Sequence, residues 1–301
     1  MRMKSINVSR LSGGKYSFEV SGPSYVGRPK DHTVMYVAKK IEATISNLSG
    51  RKACLVFIED GISVPEELEK ENCFIRTKTP QKDYADFVSQ WAEEIEQRDR
   101  CRKYCLQENG AFLGENVTLG SSVWIEPGCV IGHDVVIGDH AHIHSGARLF
   151  HCKVGAGFVA GENCTIGTEA FILTMDMDKN LIHMPSLGQV IIGDHVEIGP
   201  HVTVSRGTAG DTVIDDYVKI DALSCISHDD VLHRNVEVAG GVTIGGFVEL
   251  KERAFVGIHA VLRNRITVGE NAFVGMGAVV TKNVQPGITV VGNPAKPFHR
   301  K

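Results

Sequence analysis

The stretch that decides the fold runs from Ile214 to Val280. Within it Ile214, Ile220, Ile226, Leu232, Val238, Ile244, Leu250, Val256, Leu262, Val268, Val274 and Val280 fall six residues apart without a miss. Six is neither the helix period nor the strand period. A short fixed repeat means that each unit is a rung, able to bury its apolar side only by stacking on the next. Six residues supply one short flat strand and a corner. Three such units close a triangular coil, so each side chain lies over its counterpart three units on. The inward residue must be aliphatic, because the interior of such a prism is narrow and dry.

The register also appears upstream. Leu113, Leu119, Ile125, Ile131, Ile137, Ile143 and Leu149 form a first run. After one shortened step come Val154, Ala160, Ile166 and Ile172, and then Ile192, Ile198 and Val204. A β-branched residue often sits four positions on, as at Val117, Val135, Val196 and Val202. Asn116, Asn163, Asn235 and Asn271 suit corners where φ turns positive. The pattern resembles the hexapeptide-repeat acyltransferases. That resemblance implies a mainly β chain folded as a left-handed parallel β-helix. Two stretches, 173–191 and 205–212, break the register. Insertions in a solenoid map to loops on one face, so both are expected to serve binding.

Composition narrows the class. The chain has 301 residues and a formal net charge of −4, which gives no indication of a nucleic-acid partner. No apolar run reaches membrane-spanning length, and the start lacks a signal-peptide core. A cytoplasmic protein is expected, its eight scattered cysteines reduced. Cys101 and Cys105 are a weak zinc signal without a second pair.

Residues 1–105 carry no hexads and read as a small N-terminal α/β domain, a candidate for nucleotide-sugar binding. Val34, Val37, Ala38, Ile41 and Ile45 have helix spacing, as do Tyr84, Phe87, Val88, Trp91 and Ile95. Ala53 to Ile58 and Cys73 to Arg76 read as strands. No glycine-rich dinucleotide fingerprint follows a strand here. The β-helix is expected over 106–290, with a tail over 291–301.

Several stretches resemble the UDP-3-O-acylglucosamine N-acyltransferases of lipid A biosynthesis. They are Met184-Pro185-Ser186-Leu187-Gly188-Gln189-Val190-Ile191-Ile192-Gly193-Asp194, Arg206-Gly207 followed by Asp211-Thr212, Lys219-Ile220-Asp221, and Ile226-Ser227-His228-Asp229. Tyr25 to Lys30 is similar to that family's uridine-binding segment, which makes Arg28 and Lys30 candidate substrate contacts. Three positions depart from the family: Arg28 and Ala222 replace asparagines, and Arg265 stands where a second histidine is expected. The family's C-terminal helical extension is also absent. The ending Val279 to Val284 and Val290-Val291-Gly292-Asn293-Pro294-Ala295-Lys296-Pro297 instead resembles coenzyme A-dependent sugar acetyltransferases.

Acyl transfer from a thioester needs a base for the acceptor's proton and a donor for the tetrahedral oxyanion. Histidine suits the first role, since its ordinary pKa lies near working pH. The resemblance makes His228 that base and the Gly246 amide, one coil on, the oxyanion donor. Asp221 or Asp229 could orient His228 or meet substrate. The rival base is His133, in the similar Ile131-Gly132-His133-Asp134. His140, His142, His144 and His151 cluster, but rings two residues apart are expected on opposite faces, so acceptor contacts or solvent are favoured and no metal centre is expected. Met175, Met177 and Met184 could line an acyl groove. Lys282 and Lys296 could meet donor phosphates.

The resemblance thus implies an enzyme that moves an acyl group to a nucleotide-linked amino sugar. Its donor would be an acyl carrier protein or coenzyme A thioester, with no tightly bound cofactor. Left-handed β-helices of this kind are usually homotrimers with sites between subunits. Two alternatives stand beside this reading: an acetyl-coenzyme A sugar acetyltransferase of surface polysaccharide synthesis, and a non-catalytic β-helix scaffold.

Overall fold

The structure, a computed structural model, describes residues 3–176 and 178–298. Met177 therefore lies outside the described residues. The chain divides into two compact units. The larger comprises Cys101–Ala170, Gly188–Gly207 and Asp211–Lys301; the smaller comprises Met1–Arg100, Phe171–Leu187 and Thr208–Gly210.

The larger unit is a left-handed parallel β-helix. Among the described residues it is built on three sheets of ten, eight and ten strands. Neighbours in a sheet come from successive coils. Cys225–Ile226 pairs in parallel with Thr243–Ile244, which pairs with Val261–Leu262, which pairs with Val279–Val280. This register stacks Ile226, Ile244, Leu262 and Val280 in one fully buried column. The fourth position after each aliphatic residue also turns inward. Val236, Val242, Val248, Ala254 and Ala260 are all buried there. Burial of such side chains contributes about 1.5–3 kcal/mol each for Val, Leu or Ile.

Corner residues adopt the left-handed conformation. Asn116, Asn163, Asn235 and Asn271 have φ between 55 and 58°. Tyr217, Leu223 and Phe247 sit at equivalent corners with φ of 60 to 62°. A residue with a β-carbon pays about 1–2 kcal/mol for this conformation. The stacked coils impose it, because the corner amide is already committed: that of Phe247 donates to the carbonyl of His228 at 3.0 Å. The solenoid continues through Thr289–Val291, parallel to Phe273–Val274, and the chain then doubles back as Lys296–Pro297.

The smaller unit carries a three-stranded parallel sheet of Val34–Val37, Leu55–Glu59 and Cys73–Thr77. Leu55 and Phe57 face one apolar cluster, Val56 and Ile58 another, so the central strand is buried on both faces. The helix Pro80–Arg100 lays Tyr84, Phe87, Val88 and Trp91 into the first cluster, as its spacing predicts. The helix expected from Val34 to Ile45 does not form. Val34–Val37 is a strand, followed by 3₁₀ structure at Lys39–Leu48. Spacing alone could not see that Val34 to Val37 would pair residue for residue with Leu55 to Ile58. β-branched and aromatic side chains there favour the pleated surface.

Most of the first register break, through Leu187, and Thr208–Gly210 of the second belong to the smaller unit, while their flanks belong to the β-helix. The first contains an antiparallel hairpin, Leu173–Met175 with Leu181–His183. Met184 is 3% exposed and Leu187 5%, both in the cluster of Tyr84, Phe87, Val88 and Trp91. Leu187 donates its amide to the carbonyl of Thr208 at 3.2 Å, and Ala209 packs against the same cluster. The expected acyl-groove role of Met184 is therefore corrected: its thioether fills a core. Met175 is exposed.

Candidate active site

His228 follows the strand Cys225–Ile226 at a corner of the β-helix. Ile226 points inward, and Asp229 takes the left-handed corner conformation with φ of 58°. The turn is held from beneath by Asp230. That side chain is fully buried, and its carboxylate accepts the amides of Ser227 at 3.0 Å and Val248 at 2.7 Å. It thereby ties the corner to the coil above. Asp230 stands four positions after Ile226, an inward position that Val236, Val242 and Val248 fill with apolar side chains in the following units. Burial pushes its carboxyl well above the usual range. Sequence reading missed this residue, although a charged residue at an inward position was a visible signal. We expect Asp230→Ala to cost about 2–6 kcal/mol, since two buried amides lose their acceptor at about 1–3 kcal/mol each. Chemical denaturation measures it; a loss below about 1 kcal/mol would show that water replaces the carboxylate.

Asp229 is nearly buried. Its carboxylate oxygen Oδ2 lies 2.9 Å from His228 Nδ1, and its amide donates to Thr212 Oγ1 at 2.9 Å. Thr212 in turn donates its hydroxyl to the carbonyl of Ser205 at 2.8 Å, so the end of the second insertion braces the site. A carboxylate only accepts, so Nδ1 carries the proton and Nε2 presents a lone pair. The His228 side chain is 12% exposed. Phe247 meets its ring edge-on at 5.2 Å, and the Arg265 guanidinium covers the Phe247 ring at 4.2 Å.

Gly246 lies one coil on, beside the imidazole. A β-carbon there would sit 2.5 Å from His228 Nε2, inside van der Waals contact. Its N–H has no acceptor among the described residues. The equivalent amides of Ser121, Glu115 and Asp194 are capped by side chains of the following coil. An imidazole lone pair and an uncommitted amide thus stand side by side.

The other expected residues fall elsewhere. Asp221 follows Lys219–Ile220, a strand of a different sheet, and accepts the amide of Ala222 at 2.7 Å. It does not orient His228; Asp229 does. Arg28 and Lys30 are exposed in the smaller unit. Lys282 and Lys296 are exposed as well. His133 shares the local pattern of His228 but not its wiring. Its Nδ1 accepts the amide of Glu115 at 2.8 Å, and Asp134 pairs with Arg102 at 3.0 Å. Arg206 is buried and paired with Glu169 at 3.0 Å. All eight cysteines are free; burial pushes the thiols of Cys54 and Cys73 up to about 11.

The opposite-face expectation for the histidine cluster is wrong. Successive side chains alternate, so residues two apart share a face. Ile143 points inward, and His142 and His144 on either side of it both turn outward onto Glu126, at 2.8 and 3.1 Å. Hydrogen bonds from the Ser145 hydroxyl and from His142 hold the Glu126 carboxyl down at about 2.

Comparison with known proteins agrees with this architecture. Residues 116–151 match the family model described as bacterial transferase hexapeptide (six repeats). A UDP-3-O-acylglucosamine N-acyltransferase of Methylorubrum populi is 35% identical over 153 residues, covering 51% of this chain and 43% of the relative. The Coxiella burnetii protein of the same name is 32% identical over 198 residues, covering 59% of this chain and 58% of the relative. The chain thus spans about half the length of the curated relatives it matches. Among solved structures, the UDP-N-acetylglucosamine acyltransferase from Campylobacter jejuni superposes with a TM-score of 0.55 at 25% identity, over 63% of this chain and 72% of that one. Among the described residues no helix is long and apolar enough to cross a membrane.

Proposed function

We propose that the chain is an acyltransferase that moves an acyl group from a thioester to a nucleotide-linked amino sugar, with His228 as general base. The observation that carries the reading is the His228–Asp229 pair set against Gly246. Asp229 holds Nδ1–H, so Nε2 takes the proton of the acceptor amine as its nitrogen attacks the thioester carbonyl. The Gly246 N–H donates to the oxygen that becomes negative. Collapse of the intermediate breaks the carbon–sulfur bond. The thiolate then recovers the proton from the imidazolium, and the base is restored.

The names of the relatives support a UDP-linked acylglucosamine as acceptor and nitrogen as the acylated atom. Arg28 and Lys30 remain candidate nucleotide contacts in the smaller unit. The proposed enzyme is cytoplasmic and homotrimeric, since a prism face alone makes no deep pocket whereas two packed prisms make a groove. It needs no tightly bound cofactor, its acyl donor being an acyl carrier protein thioester. A second reading, an acetyl-coenzyme A sugar acetyltransferase, is supported by the ending from Val290 to Pro297. A non-catalytic scaffold has no use for an imidazole, a buried carboxylate and a bare amide on adjoining coils.

The deciding assay offers acyl carrier protein thioesters and acetyl-coenzyme A side by side, with UDP-linked acylglucosamine as acceptor. We expect transfer from the carrier protein. Preference for acetyl-coenzyme A overturns the donor assignment, and no transfer from either donor overturns the enzymatic reading.

A further inference from the structure

Glu126, His142 and His144 bring three metal-ligating atoms within 4.8 Å of one another. The arrangement follows from the coil. Ile143 is fully buried, which fixes its two histidine neighbours outward on one face. Glu126 precedes them by one coil and lies beneath, since Ile125 pairs with Ile143. Each group is oriented by a further contact. Glu126 Oε2 accepts the amide of Ser145 at 2.9 Å and its hydroxyl at 2.8 Å. This leaves Oε1 aimed at His142 Nε2 and His144 Nδ1. The indole of Trp124 stacks on the His142 ring at 4.2 Å and 11°. Outer contacts of this kind hold first-sphere ligands in geometry, and their loss typically weakens metal binding.

From this geometry we propose that Glu126, His142 and His144 form a binding site for one divalent transition-metal ion of the zinc class. Two imidazole nitrogens and one carboxylate oxygen are a donor set that suits zinc, and three protein ligands leave a tetrahedral position open. Bonds of about 2.0–2.2 Å place tetrahedral ligand atoms roughly 3.3–3.6 Å apart. The two imidazole nitrogens now lie 2.8 and 3.1 Å from Oε1, within 4.8 Å of each other, so the ion enters with side-chain shifts of under about 1 Å. A single carboxylate oxygen otherwise serves both rings, whose centroids stand only 3.8 Å apart. An ion between the three atoms takes the place of the two N–H···O contacts, each neutral imidazole then carrying its proton on its other ring nitrogen, and relieves that crowding of donors.

The site is separate from the one containing His228. Through the strand registers, His144 stacks over Gly161, Gly199 and then Asp221, so it lies on another corner column and several coils earlier. Its role is to clamp adjacent coils, Glu126 from one and the histidines from the next, with one position left for water or an exogenous ligand.

The test uses the full chain, stripped with chelator and desalted. Zinc chloride is titrated in competition with a chromophoric chelator. One zinc ion per chain is expected, with Kd below about 10 μM. Glu126→Gln and His144→Gln are each expected to weaken it at least about tenfold while leaving the far-ultraviolet circular dichroism of the metal-free protein unchanged. Cobalt substitution separates this site from the free cysteines. Visible absorption without a near-ultraviolet thiolate band supports the assignment; a thiolate band overturns it. Weaker binding, or zinc affinity unaffected in both variants, also overturns it. A variant with altered circular dichroism is replaced by His142→Gln, judged by the same two readouts.

Discussion

His228→Ala is expected to lower turnover by about 10²–10⁴-fold with the β-helix intact. That range is what a positioned general base contributes. The side chain is not part of the apolar column. It flanks the buried Ile226 rather than joining it, so its removal leaves the stack of Ile226, Ile244 and Leu262 in place. Removal does cost the nearly buried Asp229 carboxylate its contact with Nδ1. A modest loss of stability is therefore expected beside the kinetic one, and His228→Gln separates the two effects. Glutamine can still donate to Asp229 but cannot take a proton at working pH. Recovery of stability without recovery of turnover supports a base; turnover near that of the parent in either variant ends the assignment.

Gly246→Ala is expected to lower turnover by roughly 10²–10³-fold, the scale of losing one oxyanion donor. The backbone does not forbid alanine, since φ at this residue is not positive. The obstacle is the imidazole, because the new methyl would stand 2.5 Å from Nε2. Either the ring swings off Asp229 or the coils part, and both remove the juxtaposition on which transfer depends. The contact makes a specific prediction about coupling. Residues in contact give non-additive free energies, commonly by 0.5–3 kcal/mol. The destabilisation caused by Gly246→Ala should therefore shrink in the His228→Ala background, where the methyl has room. Equal penalties in the two backgrounds, measured by denaturation, would show that the glycine is not there to admit the ring.

Particular residues show why some of this was legible and some was not. The aliphatic series from Ile214 to Val280 announces the solenoid because one constraint, a dry and narrow interior, repeats at every rung. His228 and Gly246 were singled out by the resemblance to a known family, and the repeat sets them one coil apart. Asp230 was passed over, though it occupies an inward position that Val236, Val242 and Val248 fill with apolar side chains. The helix assigned to Val34–Ile45 failed because its spacing fits a strand as well, and the pairing that decided the matter lies some twenty residues away at Leu55–Ile58. Met184 was misjudged because a methionine in an insertion looks the same whether it meets a ligand or a core. His142 and His144 share one outward face because Ile143 between them turns inward, which brings both onto Glu126.

The amino-acid sequence by itself determined the coil, its register, the corner that carries His228 and the glycine above it. These follow from a local repeat, in which every contact partner is a fixed number of residues away. Only the tertiary structure decided that Asp229 rather than Asp221 orients the imidazole, that Thr212 and Asp230 brace it, and that both insertions complete the core of the smaller unit. It also decided that His133, with the same local pattern, spends its ring nitrogen on a backbone amide. Hydrogen-bond wiring and the packing of inserted loops depend on side-chain rotamers and long-range contacts, and no periodicity encodes those.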